Sequence, residues 1–174
     1  AVALASMAMA HQPEGDTGVL ERLSVSMQPV AEYLSEVVLD QQPREIRDFL
    51  LCTSILHYLE PAVCKALAPW VESAAVLEQL TINNLFVSQV PGSQASSNDI
   101  RLRYHPVFAE FLRVRLLRER PDDFRRLHLA ASSWFESEGF MVAAIDHALA
   151  GGDYPYAAEL MSNQAMGLLS EGRL

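Results

Sequence analysis

Residues 85–112 read LFVSQVPGSQASSNDIRLRYHPVFAEFL, and this stretch decides the fold. The segment 85–90 is rich in β-branched and aromatic residues, which predicts a strand. Residues 91–99 are rich in turn formers, and in 100–104 apolar side chains alternate with arginines. Two strands around a polar loop predict a β-hairpin, and Pro106 directly after it predicts the first turn of a helix.

Upstream of the hairpin, apolar residues at helical spacing predict three short helices. The first starts after Pro43, and the second opens at Pro61. The third covers 71–84, with Ser73 as its N-cap. Three helices, a hairpin and a closing helix follow one another in the order of a winged-helix domain, which we place at 44–120.

The segments on either side of this domain are also predicted to be helical. Residues 1–43 open with an apolar run too short to span a bilayer and without a basic start, so we expect a helix there that is cut from a longer protein. From Pro121 onward every pattern is helical, with Gly139 as a stop and Asp153 as a cap. Residues 121–174 are therefore predicted to form antiparallel helical hairpins of solenoid or tetratricopeptide-like type, and the fold class is mainly α.

Composition limits the chemistry that this chain can carry. Its 174 residues are 50% apolar with a net charge of −9, which predicts a folded domain and argues against a basic nucleic-acid binder. The only lysine, Lys65, has no glycine nearby, so a phosphate-binding loop in this chain is excluded and we expect no enzyme. Cys52 and Cys64 are predicted to be reduced, buried thiols, and the histidines lack metal-ligand spacing, so we expect neither catalytic residues nor a metal. The five histidines are His11, His57, His105, His128 and His147.

Two charged features bear on partners. The predicted third helix contains two glutamates and no lysine or arginine, so DNA recognition through it is not expected. Residues 101–126, in contrast, hold eight of the 13 basic residues and four acidic ones. This arginine-rich segment is either a solvated face with local ion pairs or a docking face for an acidic neighbouring domain or a phosphate group.

Four segments taken together resemble one family. They are YLSEVVLDQQPREIRDFLLCTSIL at 33–56, VLEQLTINNLFVSQV at 76–90, RLRYHPVFAEFLRVRLLRERP at 101–121 and AIDHALAGGDYPYAAELM at 144–161. Over about 30–165 the chain resembles the large ATP-binding LuxR-family transcription activators of the maltose-regulon type, which belong to the signal-transduction ATPases with numerous domains. The resemblance implies the order ATPase domain, winged helix, helical arm, superhelical sensor and C-terminal helix-turn-helix. Residues 1–43 would then be the end of the ATPase module and a linker helix.

The resemblance also singles out His105, in RYHPVF. In related switch ATPases a histidine at the start of the last winged-helix helix contacts the β-phosphate of ADP, and the resemblance implies that role here. An imidazole N–H can donate to a phosphate, and a helix N-terminus favours anions. Pro106 stands where the plant and apoptotic form of the motif has aspartate. The alternative is a histidine that caps or packs at the strand-to-helix turn. His147 also fits the family pattern, and we expect it to pack or to form a local hydrogen bond on a solenoid-like helix.

The function implied by the resemblance is that of a regulatory middle segment in a bacterial, cytoplasmic transcriptional activator. It would couple the nucleotide state (ATP or ADP) of an ATPase domain to a sensor and a DNA-binding domain. Its expected partners are those domains and a second copy, without direct nucleic-acid or membrane contact. The alternative is a helical-repeat module, within 121–174, that binds a protein or a small inducer. The aromatic residues expected in its groove are Trp134, Phe135, Phe140, Tyr154 and Tyr156.

Overall fold

Three short helices precede the hairpin in the computed structural model. The residues that the structure describes are 39–82, 86–91 and 100–170. Helix α1 spans Arg44–Thr53, α2 spans Pro61–Leu67 and α3 spans Ser73–Ile82. Pro43 occupies the N-cap of α1, and α2 begins with a proline at a position where the missing N–H costs nothing.

The hairpin consists of two antiparallel strands. Strand β1 spans Val87–Pro91 and β2 spans Ile100–Tyr104, with Val87 opposite Tyr104 at the base. The predicted first position of β1, residue 85, and most of the connecting loop lie outside the described residues. On the other side of β2, Leu59 forms an isolated bridge in which its N–H donates to the Leu102 carbonyl at 2.7 Å. The loop between α1 and α2 is thereby fastened to the hairpin.

Four helices follow the hairpin. They are α4 (Pro106–Glu119), α5 (Pro121–Ser137), α6 (Met141–Ala150) and α7 (Tyr154–Ser170). Gly139 and Gly152 take φ values of +81° and +74° between these helices, which is the left-handed conformation that glycine adopts at helix ends. Asp153 caps α7, because its Oδ1 accepts the N–H of Tyr156 at 3.1 Å.

The main hydrophobic core lies between α1, α2, α3 and α4. Phe49 and Phe108 are its largest fully buried side chains, and Leu112 and Leu116 continue it along α4. The same core includes Leu127 and Ala131 of α5, a helix that packs against α2 and α4. Helix α5 therefore shares its core with the helices that precede it.

A smaller core joins α5, α6 and α7. Its buried members are mostly small, with Ala144 and Ala148 on α6 facing Ala157 and Leu160 on α7. Close approach to α5 is allowed by Gly151, where an added Cβ would lie 3.0 Å from a methyl carbon of Leu129. Small residues thus set the short distance between neighbouring helices.

The predicted fold class is confirmed, since the described residues form seven helices and one two-stranded hairpin in the predicted order. The predicted cap at Ser73 is wrong. Ser73 is itself the first residue of α3, its buried hydroxyl finds no hydrogen-bond partner, and Glu72 supplies the carbonyl for the N–H of Val76. Because its backbone is already helical, its side chain cannot take the position of a cap. The predicted 1–43 segment lies almost entirely outside the described residues.

Candidate functional site

His105 is the N-cap residue of α4 and connects it to β2. Its backbone is extended, with φ −57° and ψ 135°, and Pro106 follows as the first helical residue. The imidazole is exposed and makes no capping hydrogen bond to the helix. The side chain of His105 therefore neither caps α4 nor is buried. Its contact with a phosphate stays a prediction.

Buried and hydrogen-bonded neighbours surround the backbone of His105. Tyr104 is buried, and its hydroxyl hydrogen-bonds the Thr53 hydroxyl at 2.8 Å, while burial raises the pKa of this phenol above its usual range. The Tyr104 ring meets Phe108 edge-on at 5.8 Å. The His105 N–H donates to the Phe86 carbonyl at 2.6 Å. The backbone hydrogen bond and the buried neighbours therefore fix the position of the His105 Cα, from which the imidazole projects.

This arrangement fits an anionic group presented by another domain. The first backbone N–H groups of a helix have no intrahelical acceptor, and the helix dipole makes this end electropositive. Here α4 has 14 residues, and its N-cap residue His105 carries an exposed imidazole whose N–H can donate. Arg103, two residues earlier on β2, is exposed as well. A helix N-terminus and an imidazole N–H both favour an anion such as phosphate.

The helix expected to read DNA in a winged helix carries no positive charge. Within Ser73–Ile82 the only charged residue is Glu78. The basic residues of the hairpin lie on β2 instead, where the Arg101 guanidinium stacks over the Tyr58 ring at 5.4 Å from its centroid. Helix α3, as described over Ser73–Ile82, therefore offers no cationic side chain to the phosphates of a major groove.

Several arginines of the 101–126 segment are engaged in ion pairs within the chain. Arg120 donates to Asp48 of α1 at 2.8 Å, and this hydrogen bond raises the pKa of the guanidinium. Arg126 pairs with Asp123 on α5 at 2.8 Å. The Arg120 pair joins the α4–α5 junction to α1, so part of the arginine-rich segment serves the fold, as the local ion-pair interpretation expects.

Two histidines that are 19 residues apart meet in the interior. The Nδ1 atoms of His128 on α5 and His147 on α6 lie 3.0 Å apart, and both side chains are buried. Phe124 packs on the His128 ring and Phe135 stacks on the His147 ring. Burial lowers the pKa of each imidazole to about 4, with a further contribution from the positive charge of Arg113 for His128. His147 packs as expected, whereas nothing in the sequence pattern pointed to its partner.

The two cysteines and the possible metal ligands were the remaining candidates for chemistry. Burial raises the pKa of Cys52 to about 11 and that of Cys64 to about 12, so both thiols stay protonated. Over the described ranges no three histidine, cysteine or acidic side chains come close enough to hold a metal ion. In the same part of the chain no helix has the length and hydropathy to cross a membrane.

Of the five aromatic residues proposed for a helical groove, three contact one another. Trp134, Phe135 and Phe140 form successive edge-on contacts at 5.1 and 6.3 Å. The Tyr156 hydroxyl donates to Glu136, and Tyr154 is exposed. A cleft of about 390 Å³ lies elsewhere, at the junction of α1 and α5. Its lining residues are Arg44, Glu45, Asp48, Cys52, Trp70, Arg120, Asp123 and Arg126.

Known proteins resemble this chain in two ways. Residues 34–124, just over half of the chain, match the family model of the MalT winged helix domain. The whole chain aligns at 34% identity with the serine/threonine-protein kinase PknK of Mycobacterium tuberculosis and covers 15% of that protein. The HTH-type transcriptional regulator MalT of Klebsiella pneumoniae is 30% identical over 83% of the chain, which covers 16% of the regulator. The corresponding regulator of Cronobacter sakazakii is 29% identical over the same share. The chain thus spans about a sixth of the length of these relatives.

Proposed function

Because this chain belongs to the MalT winged helix domain family, we propose that it is the regulatory middle segment of an ATP-dependent LuxR-family transcriptional activator. The proposal is supported by the 30% identity to the Klebsiella regulator, whose name describes a helix-turn-helix transcriptional regulator. In this proposal an ATPase domain lies before the segment, and a sensor and a DNA-binding domain lie after it. The segment passes the nucleotide state of the first to the other two.

The observation that carries this proposal is the exposed imidazole at the start of α4. An ATPase domain that holds ADP can place a phosphate against His105, whose N–H then donates to an anionic oxygen. A charge-assisted hydrogen bond of this kind, made only in the ADP-bound arrangement, biases the longer protein toward its closed state. Nucleotide binding and sensing are thereby coupled through one helix terminus.

Nucleotide hydrolysis is assigned to the ATPase domain and not to this segment. The only lysine of the chain, Lys65, donates its Nζ hydrogen to the Val71 carbonyl at 2.9 Å and pairs with Glu72. It therefore fastens the loop between α2 and α3. The segment is expected to bind no ADP tightly by itself, and calorimetry on this chain alone tests that division of labour.

A second context is favoured by the alignment that covers the whole chain. The kinase PknK is 34% identical to this chain, compared with 30% for the Klebsiella regulator over 83% of it. The same regulatory segment would then control a protein kinase domain instead of a DNA-binding domain. The sequence that flanks this segment in the longer protein distinguishes the two contexts, since only one of the two outputs will be encoded there.

We further propose a cytoplasmic location, with the ATPase and sensor domains as partners and self-association after their release. No nucleic acid contacts this segment directly. The alternative, a helical-repeat module that binds a protein or a small inducer, draws support from the exposed rings of Phe140 and Tyr154. Titration of candidate inducers into this chain, followed by Trp134 fluorescence, separates this alternative from the nucleotide switch.

The test of the main proposal is His105→Ala in the full-length protein. We expect ADP to bind roughly tenfold more weakly, because a charge-assisted hydrogen bond is lost. Output without inducer should rise at the same time. His57→Ala is the matched control, since His57 is an exposed histidine in the loop after α1. Equal ADP affinity for the wild type and His105→Ala would refute the phosphate contact.

A further inference from the structure

A residue with a strained backbone, Phe86, directly precedes β1 and contacts the N-terminus of α4. Phe86 has a φ of +54° and is the only non-glycine residue with positive φ in the described part of the chain. A bulky side chain is disfavoured in this region, because its Cβ crowds the backbone. Such a conformation persists only where surrounding contacts impose it. The contacts of Phe86 therefore indicate which part of the fold its positive φ serves.

Within the described ranges, two contacts of Phe86 lead to the start of α4. Its carbonyl accepts the N–H of His105 at 2.6 Å. Its ring stacks on Phe108 with the centroids 5.0 Å apart and the planes at 29°. Phe108 is fully buried in the first turn of α4. The backbone of Phe86 therefore contacts His105, and its ring contacts the first turn of α4.

We infer that Phe86 is the positioning residue of His105. The stacked ring fixes the φ of Phe86, this φ directs its carbonyl at the His105 N–H, and that bond sets the backbone from which the imidazole projects. Without the ring, residue 86 can relax to negative φ, and its carbonyl turns away. The inference rests on the proposed phosphate contact for its consequence in the longer protein, whereas the coupling itself can be measured in this chain.

Phe111 provides a matched control. It also stacks on Phe108, with centroids 6.3 Å apart and planes at 21°, and it is partly buried as Phe86 is. It lies one helical turn further along α4, away from the backbone of His105. Phe86→Ala and Phe111→Ala each remove one ring from Phe108, but only the first removes the group that directs a carbonyl at His105.

The first measurement is amide hydrogen exchange and imidazole NMR of this chain. In Phe86→Ala we expect the His105 amide to exchange at least roughly tenfold faster and its ring signals to shift, because the hydrogen bond to residue 86 is lost. Phe111→Ala should leave both readouts near wild type, and Phe86→Tyr, which keeps the stacked ring, should restore them. Equal effects of the two alanine variants on His105, or no effect of either, would overturn the inference. Phe86→Leu replaces Phe86→Ala if the alanine variant does not fold.

The second measurement is a double-mutant cycle on ADP affinity in the full-length protein. We expect Phe86→Ala and His105→Ala each to weaken ADP binding roughly tenfold, and the double variant to be no weaker than His105→Ala, because Phe86 acts through His105. An effect of His105→Ala without one of Phe86→Ala contradicts the positioning role. If His105→Ala has no effect, the phosphate contact fails, and the exchange data alone decide whether Phe86 positions His105.

Discussion

At the scale of single residues, the buried histidine pair predicts a pH dependence of stability. One Nδ1 must donate and the other must accept across the 3.0 Å between His128 and His147, so the accepting ring is neutral, and burial disfavours a positive charge on either ring. Their pKa values are lowered to about 4, whereas an unfolded chain protonates histidine near pH 6.5. Below pH 6.5 the unfolded chain therefore binds protons that the folded chain cannot.

The free energy of unfolding should be constant above pH 6.5 and fall between about pH 6.5 and pH 4. The loss is of the order of 3 kcal/mol for one imidazole across this window. Urea titrations at a series of pH values measure it. His147→Gln should flatten the profile, because it removes one of the two buried imidazoles. A wild-type profile that is flat between pH 4 and 6.5 would contradict the buried, neutral pair.

The hydrogen bond between Tyr104 and Thr53 gives a second prediction at this scale. Tyr104→Phe should lower the free energy of unfolding by about 1 kcal/mol, because one buried hydrogen bond is lost. The loss stays modest because the Thr53 hydroxyl still donates to the Phe49 carbonyl at 2.7 Å. Thr53→Val removes both bonds and should cost more. Chemical denaturation of the two variants checks this order.

At the scale of elements, the start of α7 depends on one carboxylate. Asp153→Ala should destabilise the chain by about 1 kcal/mol, since the N–H of Tyr156 loses its acceptor. Ser162→Ala is a suitable control, because the exposed Ser162 hydroxyl bonds only the Ala158 carbonyl within the same helix. Thermal unfolding of both variants should show a lower Tm for Asp153→Ala alone. Equal Tm values would mean that the cap contributes nothing.

The elements themselves follow mainly from short-range signals. The starts of α2, α4 and α5 were predicted from the proline at the first position of each helix. The ends of α5 and α6 were predicted to within one or two residues from the glycines that follow them. The prediction of an N-cap at Ser73 was wrong, because this residue type, which favours capping, lies one position inside the helix. Capping depends on backbone geometry at a single residue, which a pattern of residue types does not resolve.

At the scale of the whole molecule, the shared core predicts one cooperative unit. Leu127 of α5 belongs to the same buried cluster as Phe49 and Phe108. Trp70 follows α2 and Trp134 lies in α5, and they are the two tryptophans of the chain. Single-tryptophan variants, Trp70→Phe and Trp134→Phe, should therefore give coincident urea transitions. Separate transitions would show that the winged helix and α5 unfold independently.

Truncating a core residue of α5 should affect both reporters. Leu127→Ala is expected to cost about 2–5 kcal/mol, because Leu127 is 6% exposed and leaves a cavity in the shared core. In the two single-tryptophan backgrounds the midpoint should fall by the same amount. A loss seen only through Trp134 would place the boundary between folding units near residue 120, where the sequence puts the domain boundary.

The helices, the hairpin and their order could be predicted from the sequence, because proline, glycine and apolar periodicity act on neighbouring residues. A resemblance carried by local motifs also located His105 at the start of α4. Which distant groups meet became known only from the packed fold. Three features depend on how the helices and the hairpin pack: the bridge from Leu59 to Leu102, the pair of His128 and His147, and the strained φ of Phe86. Packing joins residues that are far apart in the chain, and a contact of that kind leaves no periodic trace in one sequence.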